Sequence, residues 1–318
     1  MLEKSALPII DISPFTSTQP VSRQAKLETA REIHAACRDV GFFYLRGHNI
    51  PQDVYETALQ LGHEFFELEG KEKAKLGIAN EDFARGYQRL GENVTRYQKD
   101  WHEALDFYRP IPRTHPLVTN NQPLRGENQW PTHPEKFRPF FERYIEYMLD
   151  LGQKTMSAIA LGLGLEEDFF VQFLDESFWV MRVIGYPPLQ SSTGKDGIGV
   201  SCGEHTGDFY LKLALIVFPE KPSDWIFADP IPGTYVVNIG DMLNVWTNNV
   251  YQSTLHRVIH RGDAYRVSCP FFYEPNFDAL IEPLHPCLKL DPVKHHDPVV
   301  YGEHLLRKVS SNFEITEN

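Results

Sequence analysis

Two histidines that lie far apart in the sequence are the residues whose types and surroundings most clearly suggest chemistry. His205 is followed three residues later by Asp208, and His256 lies in the segment Ser-Thr-Leu-His-Arg-Val. Both histidines have strand-like surroundings. Two imidazoles and one carboxylate are the ligand set of non-haem Fe(II) oxygenases. We therefore take an iron site formed by His205, His256 and Asp208 as the leading hypothesis.

A second group of polar residues could bind a carboxylate. Arg266 and Ser268 occupy positions i and i+2 of a strand-like segment, so their side chains point to the same face. A guanidinium fork and a hydroxyl together can hold a carboxylate group. Tyr186 ends another β-rich segment, and its phenol could add a hydrogen bond to the same acid. The sequence thus predicts a carboxylate site formed by Tyr186, Arg266 and Ser268.

With these residues in view, the chain resembles the isopenicillin N synthase-like group of 2-oxoglutarate and Fe(II)-dependent dioxygenases. The resemblance extends over nearly the whole length. Besides the histidine and arginine segments, it rests on residues 7–15, 37–48, 85–87, 100–107, 230–233 and 238–243. The order and spacing of these segments make the resemblance specific, since each motif alone is weak.

The resemblance implies a role for each of these residues. His205 and His256 become iron ligands, Arg266 and Ser268 hold the far carboxylate of 2-oxoglutarate, and Tyr186 is an auxiliary contact. It also implies Fe(II) as cofactor, 2-oxoglutarate as cosubstrate and O2 as oxidant. The reaction expected is hydroxylation of a small organic molecule, coupled to conversion of 2-oxoglutarate into succinate and CO2. The protein's part is to position the C–H bond and exclude water.

The third iron ligand departs from the family's pattern. The family has His-x-Asp, whereas the residue two positions after His205 is Gly207 and the aspartate is Asp208. In a regular strand the side chain at i+3 points to the opposite face. A bulge would re-aim Asp208, and Gly207 tolerates the backbone angles that a bulge requires. Residues 207–224 as a whole depart from the pattern, which suggests an alternative splice form, a frameshifted stretch or a gene-model error.

Three functions therefore stay open. The first is an active dioxygenase of small-molecule, secondary metabolism. The second is an isopenicillin N synthase-type oxidase that does not use 2-oxoglutarate, because Tyr186, Arg266 and Ser268 could hold a substrate carboxylate instead. The third is a catalytically impaired variant with a disrupted iron site. Halogenation also stays open, because relatives that halogenate carry a small residue in place of the acid.

Composition limits the partners. A formal net charge of −12 over 318 residues argues against non-specific binding to nucleic acid or to anionic membranes. The four cysteines have no Cys-x-x-Cys spacing, which is typical of reduced thiols. The sequence has no signal-peptide pattern and no apolar segment of ~20 residues. We expect a cytoplasmic monomer, with nuclear entry left open, whose partner is a small-molecule substrate.

The pattern of apolar residues predicts a mainly β fold with flanking helices: a double-stranded β-helix, or jelly-roll, core with an α/β N-terminal region. We expect a helix over 24–39 and a buried strand over 42–45, a helix pair within 51–78, a loop over 109–133, a long helix over 134–163, and strands and turns from about 178. The predicted division is an N-terminal region (1–120), a linking loop and backing helix (121–177), the Fe(II) and 2-oxoglutarate core (178–280) and a C-terminal segment (281–318).

Overall fold

The computed structural model describes residues 7–80, 84–95, 98–188, 201–205, 211–214, 226, 228–258, 260 and 262–313. Their helices are α1 (Ser13–Thr16), α2 (Arg23–Asp39), α3 (Gln52–Phe66), α4 (Gly70–Ala74), α5 (Pro116–Thr119), α6 (Phe137–Gly162), α7 (Val171–Leu174), α8 (Asp241–Trp246), α9 (His285–Leu290) and α10 (Tyr301–Phe313), with a 3-10 turn at Ile78–Asn80. Their strands are β1 (Ile9–Asp11), β2 (Phe42–Arg46), β3 (Gly86–Gln88), β4 (Val94–Thr95), β5 (Gln98–Lys99), β6 (Glu103–Tyr108), β7 (Val180–Tyr186), β8 (Cys202–His205), β9 (Leu211–Ala214), β10 (Tyr235–Ile239), β11 (His256–Val258), β12 (Arg266–Ser268), β13 (Phe271–Tyr273), β14 (Leu280–Ile281) and β15 (Val299–Val300).

Nine strands form one large sheet in the order β1-β2-β10-β9-β13-β7-β6-β3, with β12 also paired to β7. All of its pairings are antiparallel except that between β1 and β2. Strands from the predicted N-terminal region and from the predicted core share this sheet, because β2 pairs with β10 and β6 pairs with β7. The two parts therefore pack as one body.

A two-stranded ribbon of β8 and β11 forms a second layer against one face of the large sheet. Val258 and Cys202 of the ribbon pack against Ala104, Ile184 and Tyr186 of the sheet. Stacking of antiparallel strands in two layers is the jelly-roll arrangement. The predicted fold class is confirmed. The ribbon carries His205 and His256, and the face of the sheet that it covers carries Tyr186 and its strand partner Arg266.

Helices cover the other face of the large sheet. Ser22 caps α2 by accepting a hydrogen bond from the Ala25 amide at 3.2 Å, and the helix ends before Gly41, whose φ is +75°. In α6, buried apolar residues recur every three or four positions and form one face, namely Phe137, Phe141, Tyr144, Ile145, Met148, Leu151 and Met156. Within the described ranges, none of the helices has both the length and the apolar character needed to cross a bilayer.

Most of the element predictions are confirmed. The helix over 24–39, the strand over 42–45, the helix pair after residue 51 and the long helix over 134–163 all form, with small shifts at their ends. Two predictions were wrong. A short helix, α5, interrupts the predicted loop over 109–133, and α8, α9 and α10 lie in the part predicted to be strands and turns. Helices of four to six residues, such as α5 and α8, are too short to show a periodic pattern.

A buried ion pair between Lys73 and Glu103 holds α4, and the C-terminal end of α3, against the helix-facing side of the sheet. Lys73 donates to Oε2 of Glu103 at 2.8 Å and to the Phe66 carbonyl at 2.9 Å. Oε1 of Glu103 accepts from the Tyr265 hydroxyl at 2.8 Å, and Oε2 also accepts from the Tyr87 hydroxyl. Burial is tolerated here because every oxygen of the carboxylate has a donor.

We predict that Lys73→Ala lowers the free energy of unfolding by about 3 kcal/mol or more, because it leaves the Glu103 carboxylate buried without its cation. Lys75→Ala is the matched control: its partner, Glu72, lies at the surface, where solvent screens the pair, so this variant should lose much less stability. Urea unfolding measures both. Equal losses for the two variants would contradict this account.

Candidate metal and carboxylate site

The ribbon brings the two predicted ligand histidines face to face. His205 ends β8 and His256 begins β11, and the two residues are direct Cα partners in the antiparallel register. Their ring centroids lie 4.2 Å apart at an interplanar angle of 54°. The His256 ring is buried and makes an edge contact with Phe42 of the large sheet, with a centroid distance of 5.3 Å. Two residues from distant parts of the sequence thus present their imidazoles to one point.

Both imidazoles are fixed in the same tautomer. Nδ1 of His205 bonds to the carbonyl of Gly203 at 2.8 Å, and Nδ1 of His256 bonds to the carbonyl of Thr254 at 3.0 Å. A carbonyl only accepts, so each Nδ1 carries the proton and each Nε2 carries the lone pair. Metal-binding histidines use this arrangement, in which a backbone carbonyl orients the ring. The donor set therefore fits a divalent iron.

The predicted carboxylate site also assembles. Arg266 of β12 is the direct partner of Tyr186 of β7, and its guanidinium carbon lies 4.8 Å from the centroid of the phenol ring. Ser268 is two residues along on the same face and is hydrogen-bonded to the Tyr186 hydroxyl. Burial raises the pKa of Tyr186 and lowers that of Arg266. A buried guanidinium beside two hydroxyls favours an anion, since a carboxylate restores the interactions lost with water.

The third predicted ligand cannot be compared with this geometry. Asp208 and Gly207 lie outside the described residues, as do residues 209–210 and 215–224 of the stretch that departs from the family's pattern. In the part of the chain that the structure describes, no group of three or more metal-binding side chains occurs. Glu204, the neighbour of His205, bonds to Arg257 at 2.9 Å on the far side of the ribbon. The role of Asp208 as a ligand remains a prediction.

Sequence reasoning missed two residues that hold β8 in place. Oδ1 of Asp100 accepts the Gly203 amide at 2.9 Å, and Nδ1 of His102 bonds to the Ser201 carbonyl at 2.7 Å. Both side chains are buried. The Asn93 amide lies 2.9 Å from Nε2 of His102. Two signals were present: the segment 100–107 carries part of the family resemblance, and the i, i+2 spacing of the two residues places their polar side chains on one face ahead of β6.

His102 is a neutral residue in this position. Burial, with a smaller contribution from the charge of Arg182, lowers its pKa to about 3. Its ring also packs against that of Tyr186, with a centroid distance of 5.6 Å. His102 thereby links the strand that carries His205 to the strand that carries Tyr186.

Known proteins match this chain over nearly its whole length. The family described as "non-haem dioxygenase in morphine synthesis N-terminal" matches residues 7–133, and the family described as "2OG-Fe(II) oxygenase superfamily" matches residues 193–275.

Individual proteins are similar over the same length. A homoarginine-6-hydroxylase of Oryza sativa subsp. japonica is 40% identical over 322 residues, which are 97% of this chain and 98% of that protein. A homoarginine-6-hydroxylase of Glycine max is 41% identical over 328 residues with the same coverage. A full-length Neurospora crassa protein, crystallised in complex with alpha-KG, superposes with a TM-score of 0.82 at 26% identity, and the match covers 98% of each chain.

We predict that Asp100→Ala weakens Fe(II) binding by about tenfold or more. The Gly203 peptide loses its anchor, and its carbonyl is the group that orients His205. An anaerobic equilibrium titration with Fe(II) measures the dissociation constant. Lys99→Ala, at the exposed neighbouring position, should leave it unchanged. The same constant for Asp100→Ala and the wild type would refute the positioning role.

The neutral state of His102 predicts a pH dependence of stability. Between pH 6.5 and pH 3 the unfolded chain binds a proton on this residue and the folded chain does not, so stability falls as the pH falls. When the pH falls from 7.5 to 5.5, this residue should lower the free energy of unfolding of the wild type by about 1.4 kcal/mol. His102→Gln, which does not titrate, should lack that component. Urea unfolding of both proteins at the two pH values tests it, and parallel pH profiles would disprove the assignment.

Proposed function

Because this chain belongs to the 2-oxoglutarate and Fe(II)-dependent oxygenase superfamily, we propose specific roles for five of its residues. His205 and His256 hold the iron, and Tyr186, Arg266 and Ser268 bind the far carboxylate of 2-oxoglutarate. The protein is an oxygenase that hydroxylates a small molecule and uses Fe(II), 2-oxoglutarate and O2. The observation that carries the assignment is the register of His205 with His256, which brings two imidazoles of the same tautomer together.

The protein's own contribution is to hold and shield the reactants. When bound, the iron supplies the redox chemistry that couples O2 to the substrate. The Gly203 and Thr254 carbonyls fix the two imidazole rings, and so the positions of their lone pairs. Arg266 gives the cosubstrate a fixed orientation, because a guanidinium fork accepts a carboxylate in one plane. The apolar cluster around Ile184 and Val258 keeps water away from the space between sheet and ribbon.

We propose Asp208 as the third protein ligand, with a bulge at Gly207 turning its side chain toward the histidines. The family's ligand set contains one carboxylate, and Asp208 is the acid nearest to the expected position. In the alternative of an impaired variant this ligand is absent, so that both the affinity for iron and the turnover are low.

The substrate that we propose is an α-amino acid with a long basic side chain. The support is the similarity to the two homoarginine-6-hydroxylases, which are 40% and 41% identical and covered over 98% of their length. An L-amino acid of this kind is a small molecule, in agreement with the reaction class of the superfamily.

The test is an anaerobic titration of the purified protein with Fe(II) and 2-oxoglutarate, observed through the weak visible charge-transfer band of bidentate 2-oxoglutarate on Fe(II). We expect the band in the wild type and its loss in His205→Ala and in His256→Ala. In Arg266→Lys, which lacks the planar guanidinium fork, the 2-oxoglutarate concentration that gives half of the full band should rise at least about tenfold. Arg138→Gln, at the exposed face of α6, is the control.

Further outcomes of the titration separate the alternatives. A band that Asp208→Ala abolishes supports the bulge, and a band that it leaves unchanged refutes Asp208 as a ligand. A folded wild-type protein without a band is an impaired variant. A separate aerobic assay distinguishes the oxidase, because an enzyme of the isopenicillin N synthase type oxidises its substrate in air without forming succinate from 2-oxoglutarate.

A further inference from the structure

An ion pair lies on the inner face of the large sheet, on the same strand as Tyr186. In the register of β6 with β7, Asp106 is opposite Arg182 and Ala104 is opposite Ile184. Side chains alternate along a strand, so Arg182, Ile184 and Tyr186 all point toward the ribbon. Four residues of strand place Arg182 roughly 13 Å from Tyr186 along β7. The pair thus lies beyond the proposed 2-oxoglutarate site on the same face of the sheet.

The pair has hydrogen-bonding capacity to spare. Nε of Arg182 donates to Oδ1 of Asp106 at 2.8 Å, and Nη2 donates to Oε1 of Gln88 at 3.2 Å. Among the described residues, Oδ2 of Asp106 and Nη1 of Arg182 make no hydrogen bond. The Arg182 side chain is 22% exposed and that of Asp106 is 6% exposed. One acceptor and one donor of opposite charge are therefore left side by side.

The pair is electrostatically connected to the proposed iron site. The charge of Arg182 acts on His102 and on Tyr186, and His102 in turn feels His205. Between the pair and Tyr186 lies the apolar surface of Ile184 and Ala104, which faces Val258 of the ribbon.

We propose that Arg182 and Asp106 form the receptor for the α-amino and α-carboxylate groups of the substrate. Nη1 of Arg182 donates to the substrate carboxylate, and Oδ2 of Asp106 accepts from the substrate ammonium. The ammonium and carboxylate of an α-amino acid are attached to the same carbon. The guanidinium of Arg182 and the carboxylate of Asp106 are likewise in contact, so each can face the substrate group of opposite charge. This inference deepens the proposed function and rests on it.

The pair disfavours the other charged groups that such a substrate could offer. A guanidinium or a lone amine that approached Asp106 would meet the cation of Arg182, and a lone carboxylate that approached Arg182 would meet the anion of Asp106. Like charges at contact distance repel. A zwitterion satisfies both partners at once, so the pair selects for an amino acid head group and leaves the distal, basic end of the substrate near the iron.

The experiment neutralises the pair while keeping its shape, in the double variant Arg182→Gln with Asp106→Asn. Three probes are compared by substrate-stimulated succinate formation: L-homoarginine, 6-guanidinohexanoate, which lacks the α-amine, and 5-guanidinopentylamine, which lacks the carboxylate. A wider panel of L-amino acids with their matched amines and acids is screened in the same way. The exposed double variant Arg138→Gln with Glu142→Gln is the charge-matched control.

We expect the kcat/KM of the wild type for L-homoarginine, or for the best amino acid of the panel, to fall between about tenfold and a hundredfold in the double variant, as for a lost charge-assisted hydrogen bond. The values for the two truncated probes should change less than about threefold. The Fe(II) and 2-oxoglutarate band should persist, which shows that the fold and the cofactor site are intact.

Other outcomes overturn the inference. An equal loss for all three probes gives the pair a structural role only. A panel in which amines or acids outperform every amino acid excludes a zwitterion receptor, as does stimulation by no compound while the band persists. Loss of the band in the wild type refutes the proposed function instead. If the double variant does not fold, Asp106→Asn alone, which keeps the arginine, should lower kcat/KM for L-homoarginine and leave that for 6-guanidinohexanoate, which has no amine, within about threefold.

Discussion

The antiparallel register between β8 and β11 is the constraint on which the site depends. It makes His205 and His256 direct partners, so that two side chains from distant parts of the sequence reach the same point. Because side chains alternate along a strand, a slip of one residue would turn one imidazole to the outer side of the ribbon. On that outer side, Glu204 and Arg257 form their ion pair. The two faces of the ribbon therefore carry different side chains: the imidazoles lie on the inner face and the ion pair lies on the outer face.

The ribbon is short, so its position depends on the large sheet. Asp100 and His102 bind the backbone of β8 ahead of His205, and Phe42 and Ile184 pack against the side chains of the ribbon. Most of these supports come from the β2 and β6 regions, which belong to the N-terminal part of the sequence. A jelly-roll core cut away from that part would therefore lose groups that position the two candidate ligand histidines. This explains physically why the two parts of the chain share one sheet.

Much of the fold could be predicted from the sequence, because long helices and buried strands have a visible period. The α6 helix and the strand at Phe42 were found in this way. The α8 helix was missed, since six residues carry too little pattern. The candidate iron and carboxylate residues were found through the order of many motifs. Asp100, Asp106 and Arg182 were missed because their roles depend on strand register, which a single sequence does not display.

A single strand sets the relation between cosubstrate and substrate in this arrangement. Tyr186 and Arg182 belong to the same face of β7, and the pitch of a strand fixes their separation. A change of register in β7 would therefore move the proposed 2-oxoglutarate site and the proposed amino acid receptor together. A change at Asp106 or Gln88, on the neighbouring strands, would alter only the receptor. In this arrangement substrate preference can change through β3 and β6, while the proposed cofactor site, formed by β7, β12 and the ribbon, stays constant.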